Sequence, residues 1–128
     1  MAVQYYSKNE WGYTETNLTT VLREYIRPAG KVVISESISI ANKFSCSVGV
    51  KAKYVEAALG VTVEETNTFT ISWENTYDYP VKLQVFPIYE SKYGELWKKE
   101  KKKDEMMGTY IFHRALGDEI LVFKHSGF

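Results

Sequence analysis

Residues 32–54 read VVISESISIANKFSCSVGVKAKY, and the alternation in this stretch decides the fold class. The even positions carry Val32, Ile34, Ile38, Ile40, Phe44, Cys46, Val48, Val50, Ala52 and Tyr54, with Glu36 and Asn42 as the exceptions. The odd positions are largely Ser35, Ser37, Ser39, Lys43, Ser45, Ser47, Gly49, Lys51 and Lys53. A period of two sends successive side chains to opposite faces of a strand, so one face is dry and the other wet. Two arrangements keep the apolar face intact: a continuous strand, or a hairpin with a three-residue loop at Ala41-Asn42-Lys43 that opposes Ile40 to Phe44.

Downstream, after a break near Glu56-Ala57-Ala58, alternation resumes on odd positions with Leu59, Val61, Val63, Phe69, Ile71 and Trp73. Further strands are predicted over residues 81–86, 110–116 and 120–124, separated by turn signals at Asp78-Tyr79-Pro80 and Ala115-Leu116-Gly117-Asp118. Upstream, Leu18, Val21, Leu22, Tyr25 and Ile26 follow helical spacing, with Pro28 and Gly30 beyond the end. A strand competes there, because Thr19, Thr20 and Val21 are poor helix formers.

The expected fold is mostly β, an antiparallel sandwich or partly open barrel of about six to eight strands, with residues 17–27 as either one short N-terminal helix or a strand. Its core candidates are Ile34, Ile38, Ile40, Phe44, Val48, Val50, Val61, Val63, Phe69, Ile71, Trp73, Leu83 and Val85. With 128 residues and no linker or repeat, one β-rich domain spanning 1–128 is expected. Ten Tyr, six Phe and three Trp favour pleated surfaces over helices, since ring side chains lose rotamer freedom on a helix.

Charge excludes some function classes. Sixteen basic and sixteen acidic residues cancel, so no overall field draws the chain to nucleic acid, and no nucleic-acid partner is expected. One cysteine, Cys46, permits neither an internal disulfide nor a cysteine-ligated zinc site. Position 46 falls on the apolar series, so its thiol is read as a small buried hydrophobe. No signal peptide or membrane-spanning apolar run is present, which leaves a cytoplasmic protein or the processed form of a secreted one.

Catalytic chemistry finds little support. His113 and His125 stand in no recognisable motif, and the acidic pairs Glu64-Glu65, Asp104-Glu105 and Asp118-Glu119 read as solvated carboxylates. The expectation is a protein that is not an enzyme, with no cofactor and no metal, acting by binding a protein or ligand partner through its surface as an interaction, adaptor or inhibitor protein. The candidate surface contact is Tyr93 and Trp97 with the cluster Lys98, Lys99, Lys101, Lys102 and Lys103, which also reads as a solvated loop between two strands.

The Ser- and Thr-rich amphipathic stretches from Ser35 to Tyr54 and from Leu59 to Trp73, followed by the apolar strand Val81-Lys82-Leu83-Gln84-Val85, resemble the hairpin region of aerolysin-like β-pore-forming proteins. The resemblance is one of alternation and covers residues 32–90. It implies a soluble monomer that assembles on a membrane and inserts a hairpin, here with Phe44, Val48, Val50, Tyr54, Leu59, Val61 and Val63 toward lipid. A tilted membrane strand needs roughly 9 to 11 alternating residues, which Phe44 to Tyr54 supplies. Glu65 and Asn67 depart from the pattern, because they fall on the face that would meet lipid.

Overall fold

A computed structural model describes residues 3–126, and most of them lie in seven strands: β1 (Tyr5–Thr16), β2 (Arg23–Arg27), β3 (Gly30–Ala41), β4 (Lys43–Cys46), β5 (Thr66–Tyr77), β6 (Val81–Lys98) and β7 (Glu105–Lys124). One helix, α1 (Ala52–Leu59), separates β4 from β5. The strands form a five-stranded sheet in the order β1-β6-β7-β4, with β2 also paired to β6, and a two-stranded sheet of β3 and β5. The sheets are antiparallel and close no barrel, so the mostly-β, antiparallel architecture expected from the sequence is what the chain adopts. The chain forms two compact units, and β1, β6 and β7 contribute residues to each.

The unit built from Glu15–Ile40, Asn67–Tyr89 and the described residues from Ala115 onward is a sandwich. The dry faces of β3 (Val32, Ile34, Ile38) and β5 (Ile71) pack against Tyr25 of β2 and Val81, Leu83 and Val85 of β6. The wet faces carry Ser35, Ser37 and Ser39 on β3 and Thr68, Thr70 and Ser72 on β5, all exposed. Alternation therefore does here what the sequence argument requires. β2 lies against β6 in antiparallel register, Tyr25 opposite Leu83.

That strand settles the contest over residues 17–27 against the helix. Asn17 Oδ1 accepts the Thr19 N–H (3.0 Å) and hydroxyl (2.6 Å), a bond that could equally cap a helix, but only a turn follows it and residues 23–27 are extended. The Leu22 N–H then goes to the Val85 carbonyl (2.8 Å), and β-branched neighbours favour the extended state. Leu18, Val21 and Ile26, the intended apolar face of the helix, are exposed.

Tyr25 gives this unit a pH signature. Burial comes first among the causes, then the hydrogen bond its hydroxyl donates to Glu36 (2.5 Å) and the charge on that carboxylate; together they push the phenol up to about 12. The folded state thus holds the proton more tightly than the unfolded chain. This contribution to stability is complete below the ordinary tyrosine value of 10.0 and is lost as pH rises through about 12. Thermal unfolding of wild type and Tyr25→Phe should show wild type losing ground to the variant between those values. Parallel curves across that window would remove the assignment.

The unit built from the described residues up to Thr14, Ala41–Thr66 and Glu90–Arg114 packs β1, β6, β7 and β4 against α1 and its flanking loops. Its core is Val50, Val55, Val63, Leu96, Tyr110 and Phe112, with Tyr5, Phe44, Tyr54 and Leu59 partly buried against them. Here the reading of residues 42–63 needs correction. Asn42 donates its N–H to Glu65 (2.8 Å), and β4 pairs with β7, Phe44 opposite Phe112, so the hairpin opposing Ile40 to Phe44 does not form. β3 takes β5 as its partner instead.

A turn follows β4, closed by the Val50 N–H to the Ser47 carbonyl (3.2 Å), with Gly49 at a φ of 93°. Val48 projects from this turn fully exposed, and Cys46 is exposed as well, its Sγ 3.1 Å from the Val50 carbonyl. Residues 52–59, read as the end of one strand and the start of another, are helical. Ala52, Val55 and Leu59 share a helical face at i, i+3 and i+7, and Ala57-Ala58 favour the helix. Gly60 ends the helix in the left-handed region (φ 70°), its N–H bonded to the Glu56 carbonyl. Val61 and Val63 lie in the following loop, the first exposed and the second buried.

Candidate functional site

The N-terminal strand carries an interruption that shapes the outer face of the sheet. Asn9 adopts a φ of 54°, the only non-glycine residue among those described with a positive value, a conformation that asparagine tolerates better than most side chains. On one side of it, Tyr5 stacks on Tyr54 of α1 and Ser7 bonds the Tyr110 hydroxyl (2.6 Å), both against the core. Tyr6 and Lys8 point the other way, to Asp104 and Trp97. Beyond Asn9 the parity shifts by one. Trp11 and Tyr13 now occupy the outer face with Tyr6 and Lys8, and a uniform alternation would have sent them inward.

On that face Trp11 and Tyr93 stack with ring centroids 4.2 Å apart and planes 7° from parallel. Tyr13 lies alongside, its ring 6.0 Å from that of Tyr93 and tilted by 20°, and the two hydroxyls are 3.1 Å apart. Trp11 is 60% exposed and Tyr13 40%. Large rings so accessible, and held flat by one another on a sheet, form a rigid apolar surface facing water.

Next to the stack the sheet face is hollowed into an open groove of about 500 Å³, whose walls include Asn9, Trp11, Tyr93, Glu95, Thr109 and Ile111. Glu95 Oε1 accepts from the Asn9 amide (2.7 Å) and the Trp97 indole N–H (3.1 Å). The Trp97 bond first, the Asn9 bond second and the charge of Lys8 hold the Glu95 carboxyl below the usual carboxylate range. Lys8 itself rests over the Trp97 ring, 4.3 Å from its centroid.

Of the contact residues expected from the sequence, Tyr93 and Trp97 do reach this common face. The lysines continue into the β6–β7 connection, with Lys98 paired to Glu100 (3.3 Å) and Lys99, Lys101, Lys102 and Lys103 exposed. Asp104 anchors that connection: it accepts from Tyr6 (2.6 Å) and from the Glu100 N–H (3.1 Å), which lowers its pKa. Of the residues proposed to face lipid, Phe44, Val50, Tyr54, Leu59 and Val63 meet in the core of this unit, whereas Val48 and Val61 are exposed. Phe44 lies in β4, Val48 and Val50 in the turn, Tyr54 and Leu59 on α1, and Val61 and Val63 beyond it.

Sequence reading missed Trp11, Tyr13, Asn9 and Glu95. The available signal was the density of rings at Tyr5, Tyr6, Trp11 and Tyr13; the shift in parity that gathers them on one face depends on a single backbone angle. Elsewhere in this unit the Ser91 hydroxyl and His113 Nδ1 are 2.6 Å apart, with Ser91 1% exposed, so the pair ties β6 to β7 from within the sheet. No group of three or more His, Cys, Asp or Glu able to hold a metal occurs among the described residues. No helix among them is long and apolar enough to cross a membrane.

No known protein family and no curated protein matches this chain.

Proposed function

We propose that this protein is a non-enzymatic binding domain that takes a protein or ligand partner on the aromatic face of β1 and β6. The observation that carries this reading is the stacked pair Trp11 and Tyr93, with Trp11 60% exposed. Tryptophan and tyrosine dominate the energetics of binding surfaces, because each covers a large apolar area with few rotatable bonds. A ring already locked in a stack loses little further freedom on binding, so more of its contact energy appears as affinity.

The test is a binding screen of the immobilised protein across proteins, oligosaccharides and small cations, run in parallel with Trp11→Ala/Tyr93→Ala. Partners retained by wild type should lose at least about tenfold in affinity, equivalent to about 1.4 kcal/mol, with the melting temperature held within a few degrees. Equal retention by the double variant would overturn the reading.

A second reading, membrane insertion of amphipathic strands in the manner of aerolysin-like proteins, is favoured by the paired strands β3 and β5. They present Ser35, Ser37, Ser39, Thr68, Thr70 and Ser72 on one side and Ile34, Ile38 and Ile71 on the other. Its readout is independent of the aromatic face: dye release from liposomes by wild type and equally by the double variant. Intact liposomes would dispose of it.

A further inference from the structure

We propose that the groove beside the Trp11–Tyr93 stack binds a neutral oligosaccharide, one sugar ring lying on the exposed aromatic surface and its hydroxyls on Glu95 and Asn9. This rests on the reading of the aromatic face as the binding surface and names the ligand class for it.

Ring geometry is the first argument. The planes of Trp11, Tyr13 and Tyr93 lie within 25° of one another. Trp11 covers Tyr93 face to face and, at 60% exposure, remains the accessible ring of the stack; the flat partner for a ring face, with an apolar C–H face and a polar rim of its own, is a pyranose. A cage for an organic cation needs rings set at steep angles around a point charge, and these three do not provide it.

Charge complementarity is the second. Glu95 is the one charged side chain among the groove-lining residues. A carboxylate is an acceptor only, and both of its bonds fall on Oε1; among the described residues none falls on Oε2. That oxygen is suited to hydroxyl donors. A phosphate or sulfate brought to the same place would meet like charge, which disfavours nucleic acid and acidic polysaccharide. A cation gains less than an isolated carboxylate would offer, because the Lys8 ammonium sits over Trp97, whose indole bonds the same carboxylate.

Size is the third. A groove of about 500 Å³ falls in the range of small-molecule sites, and its open form on a sheet face admits a chain of sugars without requiring a terminal residue.

The experiment is isothermal titration of the full chain with neutral tetrasaccharides differing in linkage and ring: chitotetraose, cellotetraose, maltotetraose, mannotetraose and xylotetraose. A heparin tetrasaccharide and trimethyl-lysine serve as the anionic and cationic comparisons. At least one neutral sugar should bind with a Kd between about 10 µM and 1 mM. Trp11→Ala should weaken it beyond detection. Glu95→Gln keeps the Oε1 acceptor for Asn9 and Trp97 and replaces the Oε2 acceptor by a donor, and should weaken binding about tenfold with no change in melting temperature. The proposal is overturned if none of the neutral sugars binds up to about 10 mM, if binding survives Trp11→Ala, or if heparin or trimethyl-lysine binds more tightly than every neutral sugar. The last outcome, if abolished by Trp11→Ala, leaves the aromatic face as the binding surface while removing its assignment to sugars. A partner that binds wild type and Trp11→Ala alike removes both.

Discussion

Replacing Leu83 by alanine is expected to destabilise the protein by about 2 to 5 kcal/mol, the range for truncating a buried leucine. Leu83 is fully buried at the centre of the sandwich, opposite Tyr25 across the β2–β6 ladder and packed in the cluster that includes Ile34, Ile38 and Ile71. Removing its branched end costs the transfer energy of the lost methyl groups and leaves a cavity that surrounding strands, tied into their ladders, fill only in part. Because a domain is usually stable by only about 5 to 15 kcal/mol, a loss of this size is a large share of the whole. Urea unfolding monitored by tryptophan fluorescence should show a lower midpoint with an unchanged slope. The contrast lies one side chain away on the wet faces. Ser37→Ala and Thr68→Ala, both exposed, should stay within about 0.5 kcal/mol of wild type. A Leu83→Ala variant that loses less than about 1 kcal/mol would show that this position does not sit in a close-packed core.

Gly12→Ala is expected to cost about 3 kcal/mol, the upper end of the range for overpacking. A Cβ at position 12 would overlap the Ser91 carbonyl oxygen and would lie 3.3 Å from its carbon and 3.4 Å from the Lys92 Cα. All three neighbours are backbone atoms, so no side chain can rotate away and β1 must shift relative to β6. Gly94 supplies the comparison. A Cβ there would meet the Tyr110 hydroxyl at 2.6 Å and Ser7 Oγ at 2.9 Å, side-chain rather than backbone atoms, of which Ser7 can rotate away while the buried Tyr110 ring must tilt. Gly12→Ala should therefore lower the unfolding midpoint more than Gly94→Ala does. Since Gly12 lies between Trp11 and Tyr13, it should also disturb the stack and with it the near-ultraviolet circular dichroism. A fully stable Gly12→Ala protein with an unchanged spectrum would contradict the close approach of these two strands.

Much of the sandwich was legible because alternation is a local property. Wherever a strand keeps one face dry, the side-chain period alone says which residues go inward, and Ile34, Ile38, Ile40, Ile71, Leu83 and Val85 did so. The same rule failed between residues 48 and 63, where a turn and a helix replace two strands. Val50, Tyr54 and Leu59 are apolar at positions compatible with more than one period, and short apolar runs do not distinguish a strand from a helix. The exposed Val48 and Cys46 follow from that failure, since their place on the dry series presumed a strand continuing past Cys46.

By itself, the sequence determined that the chain is mostly β and antiparallel, which residues of β3, β5 and β6 are buried, and that Ser and Thr cover the opposite face, because each of these follows from the order of apolar and polar side chains along one strand. Only the tertiary structure decided which strands pair. β3 passes over its sequence neighbour β4 to join β5, and residues 23–27 extend along β6 because their backbone groups find partners there. It also decided the candidate site, through the Asn9 backbone angle that reverses the parity of β1 and sets Trp11 against Tyr93, a residue 82 positions away in the chain. A contact of that sequence separation leaves no period in the chain; it exists only once the two strands have been brought side by side.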